Sequence, residues 1–224
     1  MSVHDGHRER LRQRFRDEGI GSFADHNVLE LLLTYAIPRR DVNEEAHRLV
    51  ARFGSLSGVF DAPIEELERT EGLGPYAALL VKLVPQICRR YMIDRASEGT
   101  GINTSEDAGN FLLPRFMTET NEVVYVLCLD AKGKVTGCQR LSEGSVNTAE
   151  ISVRRIVEAA LVYGSNSVVI AHNHLSGIAL PSDEDLRTTL KVKAALDAVG
   201  ITLRDHIIIS DGDFVSLKES GLFG

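Results

Sequence analysis

The chain has 224 residues, of which 43% are hydrophobic and 25% charged, and a formal net charge of −7. That is the composition of an ordinary globular protein, long enough for one large or two small domains, each with its own core. No apolar run reaches the roughly 20 residues a bilayer span needs. The polar start (His4, Asp5, His7, Arg8) lacks the apolar core of a secretion signal. Cys88, Cys128 and Cys138 are scattered, with no CxxC and no even disulfide set, which predicts a reducing, cytoplasmic setting.

Residues 1–95 hold 14 Lys/Arg against 15 Asp/Glu, and residues 96–224 hold 11 against 17. Arginine is concentrated at Arg8, Arg10, Arg12, Arg14 and Arg16. Alternate spacing spreads these charges around a helix, which reads either as a solvated helix or as a contact for phosphate or an acidic partner. Val28, Leu31, Leu32 and Tyr35 repeat with helical period, as do Ala46, Leu49, Val50 and Phe53, and Gly54 stops the second helix. A short helix over Pro63–Arg69 follows, then the tight Gly72-Leu73-Gly74 turn and a helix over Ala77–Tyr91. No strand pattern interrupts this stretch, so residues 1–95 are expected to form an all-helical domain. Residues 96–104, small, polar and carrying Gly99 and Gly101, are the expected linker.

From residue 105 the texture changes. Thr104 and Asp107 form a capping box for a helix reaching about Phe116. Val123–Leu129 reads as a strand, with a turn at Asp130–Gly133 and a second strand from Val135. Ser152 caps a helix to Tyr163, and Val168–Ala171 is a short, wholly apolar and therefore central strand. Ser182–Val199 is a helix ended by Gly200, and Ile201–Ile209, Asp211-Gly212 and Phe214–Leu217 make a hairpin. Alternating strands and helices predict an α/β or α+β domain over residues 105–224.

The central strand delivers the chain to His172-Asn173-His174. On an extended backbone residues i and i+2 share a side, so His172 and His174 converge while Asn173 faces away. Asp185 lies one turn inside the next helix and can fold back to the strand end. Two histidines and a carboxylate suit a divalent ion with one open position. The competing reading is a helix cap, because Ser182-x-x-Asp185 is also a capping motif and Asp185 is hard to use fully in both roles. Metal-assisted hydrolysis also needs a base, for which Glu122, Glu143, Glu150 and Glu158 are candidates. Glu122, just before the strand over Val123–Leu129, is preferred, whereas Glu158 falls on a solvated helix face.

The spacing His172-x-His174, seven residues, Ser182, two residues, Asp185 resembles the metal motif of the JAB/MPN (JAMM) metallopeptidase superfamily. Several further stretches resemble the RadC family of bacterial JAB-domain proteins. They are His172–Gly177, Pro181-Ser182, Asp205–Ile209, Phe214–Ser216 and, upstream, Glu122, Asp130, Gly144 and Asn147. Gly6–Arg8, Leu29–Leu32, Pro38–Asp41 and Gly72–Pro75 extend the likeness through the first domain. Leu175 departs from the pattern, which has proline after the second histidine; this loosens the loop and removes no ligand.

The resemblance implies a mixed-sheet JAB/MPN domain with one zinc ion held by His172, His174 and Asp185. It makes Glu122 the general acid/base and Ser182 the stabiliser of the oxyanion or the orienter of the water. Asp205-His206 is either a pair that orients a ligand or a turn end plus a half-buried strand residue. Asn173 and Ser176 read as hydrogen-bonding loop residues around the ligands. The expected activity is hydrolysis of an amide or isopeptide bond in a protein or peptide. Gly72, Leu73 and Gly74 resemble a helix–hairpin–helix, which implies either backbone contacts to DNA phosphate or a protein-docking turn. A DNA-associated accessory role for the helical domain is therefore the alternative function.

Overall fold

A computed structural model describes residues 3–97, 101–141 and 152–223. Two compact units are present, residues 1–88 and 89–224, and the division falls inside a long helix, upstream of the 96–104 stretch expected as the linker.

The first unit consists of α1 (Val3–Glu18), α2 (Asp25–Ala36), α3 (Asn43–Phe53), α4 (Leu56–Asp61), α5 (Ile64–Glu68) and the start of α6 (Pro75–Ser97). Its core is built from Leu29, Leu33, Leu49, Val59, Leu67 and Val81, all fully buried. The phase of α2 differs from the periodicity reading. Leu29 and Leu33 are inaccessible, whereas Tyr35 is 67% exposed. A run of leucines fits a helical stripe in more than one phase, and a buried carboxylate decides between them. Glu30 turns inward to meet His7 Nε2 at 2.8 Å and Asn43 Nδ2 at 3.0 Å. Gly54, at φ +85°, closes α3 in the left-handed region where a side chain is strained.

The second unit holds α7 (Ser105–Phe116), β1 (Val124–Leu129), β2 (Val135–Arg140), α8 (Val153–Val162), β3 (Ser167–Asn173), α9 (Asp183–Asp197), β4 (Thr202–Ser210) and β5 (Asp213–Ser216). The strands form one mixed sheet in the order β2-β1-β3-β4-β5. β3 lies in the middle, antiparallel to β1 and parallel to β4, and α9 is the crossover between the parallel pair. Every residue of β1 and β3 is buried, as unbroken apolar runs require. One face of the sheet packs Val124, Val126, Ile170 and Ile208 against Ile156 of α8 and Val192 and Leu196 of α9. The other packs Tyr125, Leu127, Ala171 and Ile207 against Phe111 and Leu112 of α7. The fold is therefore α+β, helices first and then a mixed sheet covered on both faces. The hairpin β4–β5 turns through Asp211 and Gly212, both at positive φ, as a two-residue type I′ connection demands.

Candidate metal centre

The site forms where β3 runs out. His172 is the sixth residue of the strand, and His174 lies one residue past its end. His174 stays aligned because its N–H donates to the Ile209 carbonyl at 2.9 Å and its own carbonyl accepts from Ser210 Oγ at 2.9 Å. The face of the sheet carrying Ile170 and Ile208 therefore presents both imidazoles towards α9.

Three ligand atoms converge there. His172 Nε2 is 2.9 Å from His174 Nε2 and 3.0 Å from Asp185 Oδ1, and His174 Nε2 is 3.5 Å from Asp185 Oδ2. Four ligands around a zinc ion at bond lengths near 2.0–2.1 Å stand about 3.3 Å apart along each tetrahedral edge. The donor set fits such an ion in type and spacing, and it is the one metal-like cluster among the described residues.

Asp185 reconciles the two readings that its sequence position posed as alternatives. Its Oδ2 accepts from the Ser182 N–H at 2.8 Å and from Ser182 Oγ at 2.6 Å, while the Asp185 N–H donates to Ser182 Oγ at 3.2 Å. This is a complete capping box at the start of α9. Oδ1 faces His172 and Oδ2 also lies 3.5 Å from His174 Nε2, so the capping carboxylate stands against both imidazoles. Burial pushes the Asp185 carboxyl up, but hydrogen bonds from His172 and Ser182 outweigh it and hold the group well below the usual carboxylate range. It is ionised and ready to bind a cation. Ser182 Oγ gives its proton to Asp185 in this arrangement and so holds that carboxylate in place.

A chain of hydrogen bonds fixes the tautomer of His172. Thr189 Oγ lies 2.6 Å from the Asp185 carbonyl, which can only accept, so the hydroxyl proton goes there. Thr189 Oγ must then accept from His206 Nδ1–H at 2.6 Å. His206 Nε2 in turn accepts from His172 Nδ1–H at 2.8 Å, which directs His172 Nε2 into the centre beside Asp185 Oδ1. Burial pushes the His206 imidazole well below its ordinary value, and the adjacent His172 ring adds to the effect, so His206 is neutral, as this chain requires. The spacing of the motif did not show Thr189. Its one signal is its place one helical turn after Asp185.

Asp205 and His206 do not act as a pair on the ligands. Successive strand residues point to opposite faces. His206 reaches the metal face, whereas Asp205 accepts from Ser216 Oγ at 2.7 Å, from the His206 N–H at 2.7 Å and from the Lys218 N–H at 3.2 Å. Asp205 therefore anchors β5 and the turn after it. Ser176 is exposed in the loop after His174, as is Leu175 at 56%.

Glu122 stands just ahead of β1. Val124, the first residue of β1, is paired with His172, and Glu122 lies two residues ahead of it. Glu158 is instead an exposed residue of α8 paired with Arg154 at 2.7 Å. Glu143, Gly144, Asn147 and Glu150 lie outside the described residues.

Residues 102–222 match the model of the RadC-like JAB domain. The chain belongs to the RadC-like JAB family. It is 34% identical to a UPF0758 protein of Marinomonas sp. (strain MWYL1), over 99% of this chain and all of that protein. It is 32% identical to a UPF0758 protein of Fusobacterium nucleatum subsp. nucleatum, over 97% of each. The RadC-like match runs from just before α7 through β5, so it contains the whole sheet and every residue of the metal centre.

In the first unit, the Gly72–Gly74 turn is packed into the helical core at its centre. Leu73 is 4% exposed in the helical core, and its N–H donates to the Thr70 carbonyl at 3.0 Å. Gly72 packs its α-carbon against the Arg40–Glu45 ion pair, where a Cβ would come within 2.4 Å of Glu45 Oε1. Leu73 is thus a core residue, and the glycine is required by close approach.

Proposed function

We propose that this RadC-like chain is a zinc-dependent hydrolase acting on an amide or isopeptide bond of a protein or peptide. The observation that carries the reading is the convergence of His172, His174 and Asp185 at tetrahedral spacing, with Glu122 two residues ahead of the β1 residue paired with His172. His172, His174 and Asp185 would hold one zinc ion. Bound there, zinc would polarise the scissile carbonyl and lower the pKa of its water to about 7.

The chain's own residues supply the rest. Glu122 takes the proton of the attacking water and passes it to the leaving amine. Ser182 and the α9 cap keep Asp185 ionised and directed at the centre. His206 and Thr189 engage His172 through its Nδ1–H, which keeps Nε2 directed at the centre.

Two measurements on the purified full chain test this: zinc per chain, and turnover on a panel of peptide and isopeptide substrates. His172→Ala is expected to lose both metal and turnover. Glu122→Gln is expected to keep the metal and lose about 10²–10⁴-fold in kcat, the usual worth of a positioned acid/base. A wild-type chain that takes up no divalent ion, or a zinc-loaded chain that cleaves nothing in the panel, overturns the proposal.

A further inference from the structure

Asn173, between the two histidines, is 6% exposed and uses both ends of its amide on a single neighbouring segment. Its Oδ1 accepts from the Val123 N–H at 2.7 Å, and its Nδ2 donates to the Asn121 carbonyl at 3.1 Å. Those two backbone groups flank Glu122. The residue lies just outside β1, which begins at Val124. A side chain from β3 holds the chain on both sides of the glutamate.

From this geometry we infer that Asn173 is the positioning residue for Glu122. This rests on the reading of Glu122 as the acid/base. The strand alternation that turns His172 and His174 to one face turns Asn173 to the other, so the same three-residue run builds both halves of the site. Two residues aim at the ion, and the third fixes the segment that carries the base. The chemistry explains why an amide stands here. Aspartate keeps the acceptor but sets a carboxylate oxygen against the Asn121 carbonyl, and alanine supplies neither contact. Serine or threonine is too short to bridge two groups flanking one residue.

The test uses the full-length, zinc-loaded protein with Asn173→Ala, Asn173→Asp, Glu122→Gln and the double variant Glu122→Gln/Asn173→Ala. Bound zinc is expected to stay at the wild-type ratio in all of them, because no ligand is altered. The amide of Val123 is expected to be protected from hydrogen exchange in the wild type and to lose at least about tenfold of that protection in Asn173→Ala, since its partner is gone. On a cleaved peptide, kcat is expected to fall about 10–100-fold with KM within about twofold, the scale of a base displaced by about 1 Å. Because Asn173 acts through Glu122, the double variant is expected to be no slower than Glu122→Gln alone.

Multiplying losses in the double variant, an unchanged kcat, or loss of zinc in Asn173→Asp would each overturn the inference. So would a wild-type Val123 amide that exchanges at the unprotected rate, a result that needs neither a variant nor a substrate. If the wild type cleaves nothing, the hydrolase reading fails by itself, and the exchange measurement still decides whether the grip exists.

Discussion

The cluster of His172, His174 and Asp185 was legible in the sequence because an i, i+2 pair and a helix-start carboxylate leave a linear trace. The residues that make them usable were less so. His206 meets His172 through the parallel pairing of β3 with β4, and Thr189 meets His206 through the packing of α9 on that face. Neither contact has a fixed sequence spacing. The tautomer chain gives a prediction at this scale. Thr189→Val is nearly isosteric but leaves His206 Nδ1–H buried without an acceptor, a cost of about 1–3 kcal/mol. Free of that constraint, His206 can take the other tautomer and set a proton against His172. Zinc affinity, measured by competition with a chelator, is expected to fall about 10–100-fold, the usual effect of altering a group behind a metal histidine. An affinity within twofold of wild type would mean that the His206 ring holds its tautomer without the hydroxyl.

Two helices of the second unit start with the same device, which allows cap and centre to be separated. α7 begins with Thr104 and Asp107, and α9 with Ser182 and Asp185, each a complete capping box. Both boxes were readable from the sequence; that the second carboxylate keeps its cap while lying against His172 and His174 needed the fold. Thr104→Ala and Ser182→Ala are each expected to cost about 1 kcal/mol of stability in thermal or denaturant unfolding. Only Ser182→Ala is expected to weaken zinc retention as well. The pH dependence has a defined sign. Backbone hydrogen bonds from Asn103 and Thr104 lower Asp107, and Asp185 is lowered against its burial by His172 and Ser182. A carboxylate lowered in the folded state stabilises above its unfolded pKa of about 3.9, and that contribution is lost as pH falls towards the folded value. The gap between wild type and Ser182→Ala is therefore expected to hold near pH 7 and to narrow below about pH 4, whereas Thr104→Ala keeps the backbone donors that lower Asp107 and its gap changes less. Equal loss of zinc in both variants would assign the effect to general destabilisation.

At the scale of the whole chain, the division into a helical unit and a sheet unit was visible as a change of texture, from 3.6-residue periodicity to alternating strand and helix. What the arginines of the first unit do was not visible, because local pairs and pairs between distant residues share the same carboxylates. Arg40 meets Glu45 at 2.6 Å, Arg48 lies 3.0 Å from Glu44 and 3.9 Å from Glu71, and Arg52 and Arg69 both pair with Glu66. Arg8 donates to the Ile37 carbonyl at 3.1 Å and also to that of Pro38. A DNA backbone would have to compete with these partners. The Gly72–Gly74 turn offers few donors in exchange, since Leu73 N–H is engaged and Pro75 has none. Binding of the full chain to duplex DNA, followed by fluorescence anisotropy across a salt series, is therefore expected to show a shallow dependence, with a log–log slope below about 2 in magnitude. Six neutralised phosphates would give roughly −5. A slope of that size would show that the arginines leave their carboxylates for phosphate. The alternative reading of the helical unit as a DNA-associated module would then replace the expectation drawn from its ion pairs.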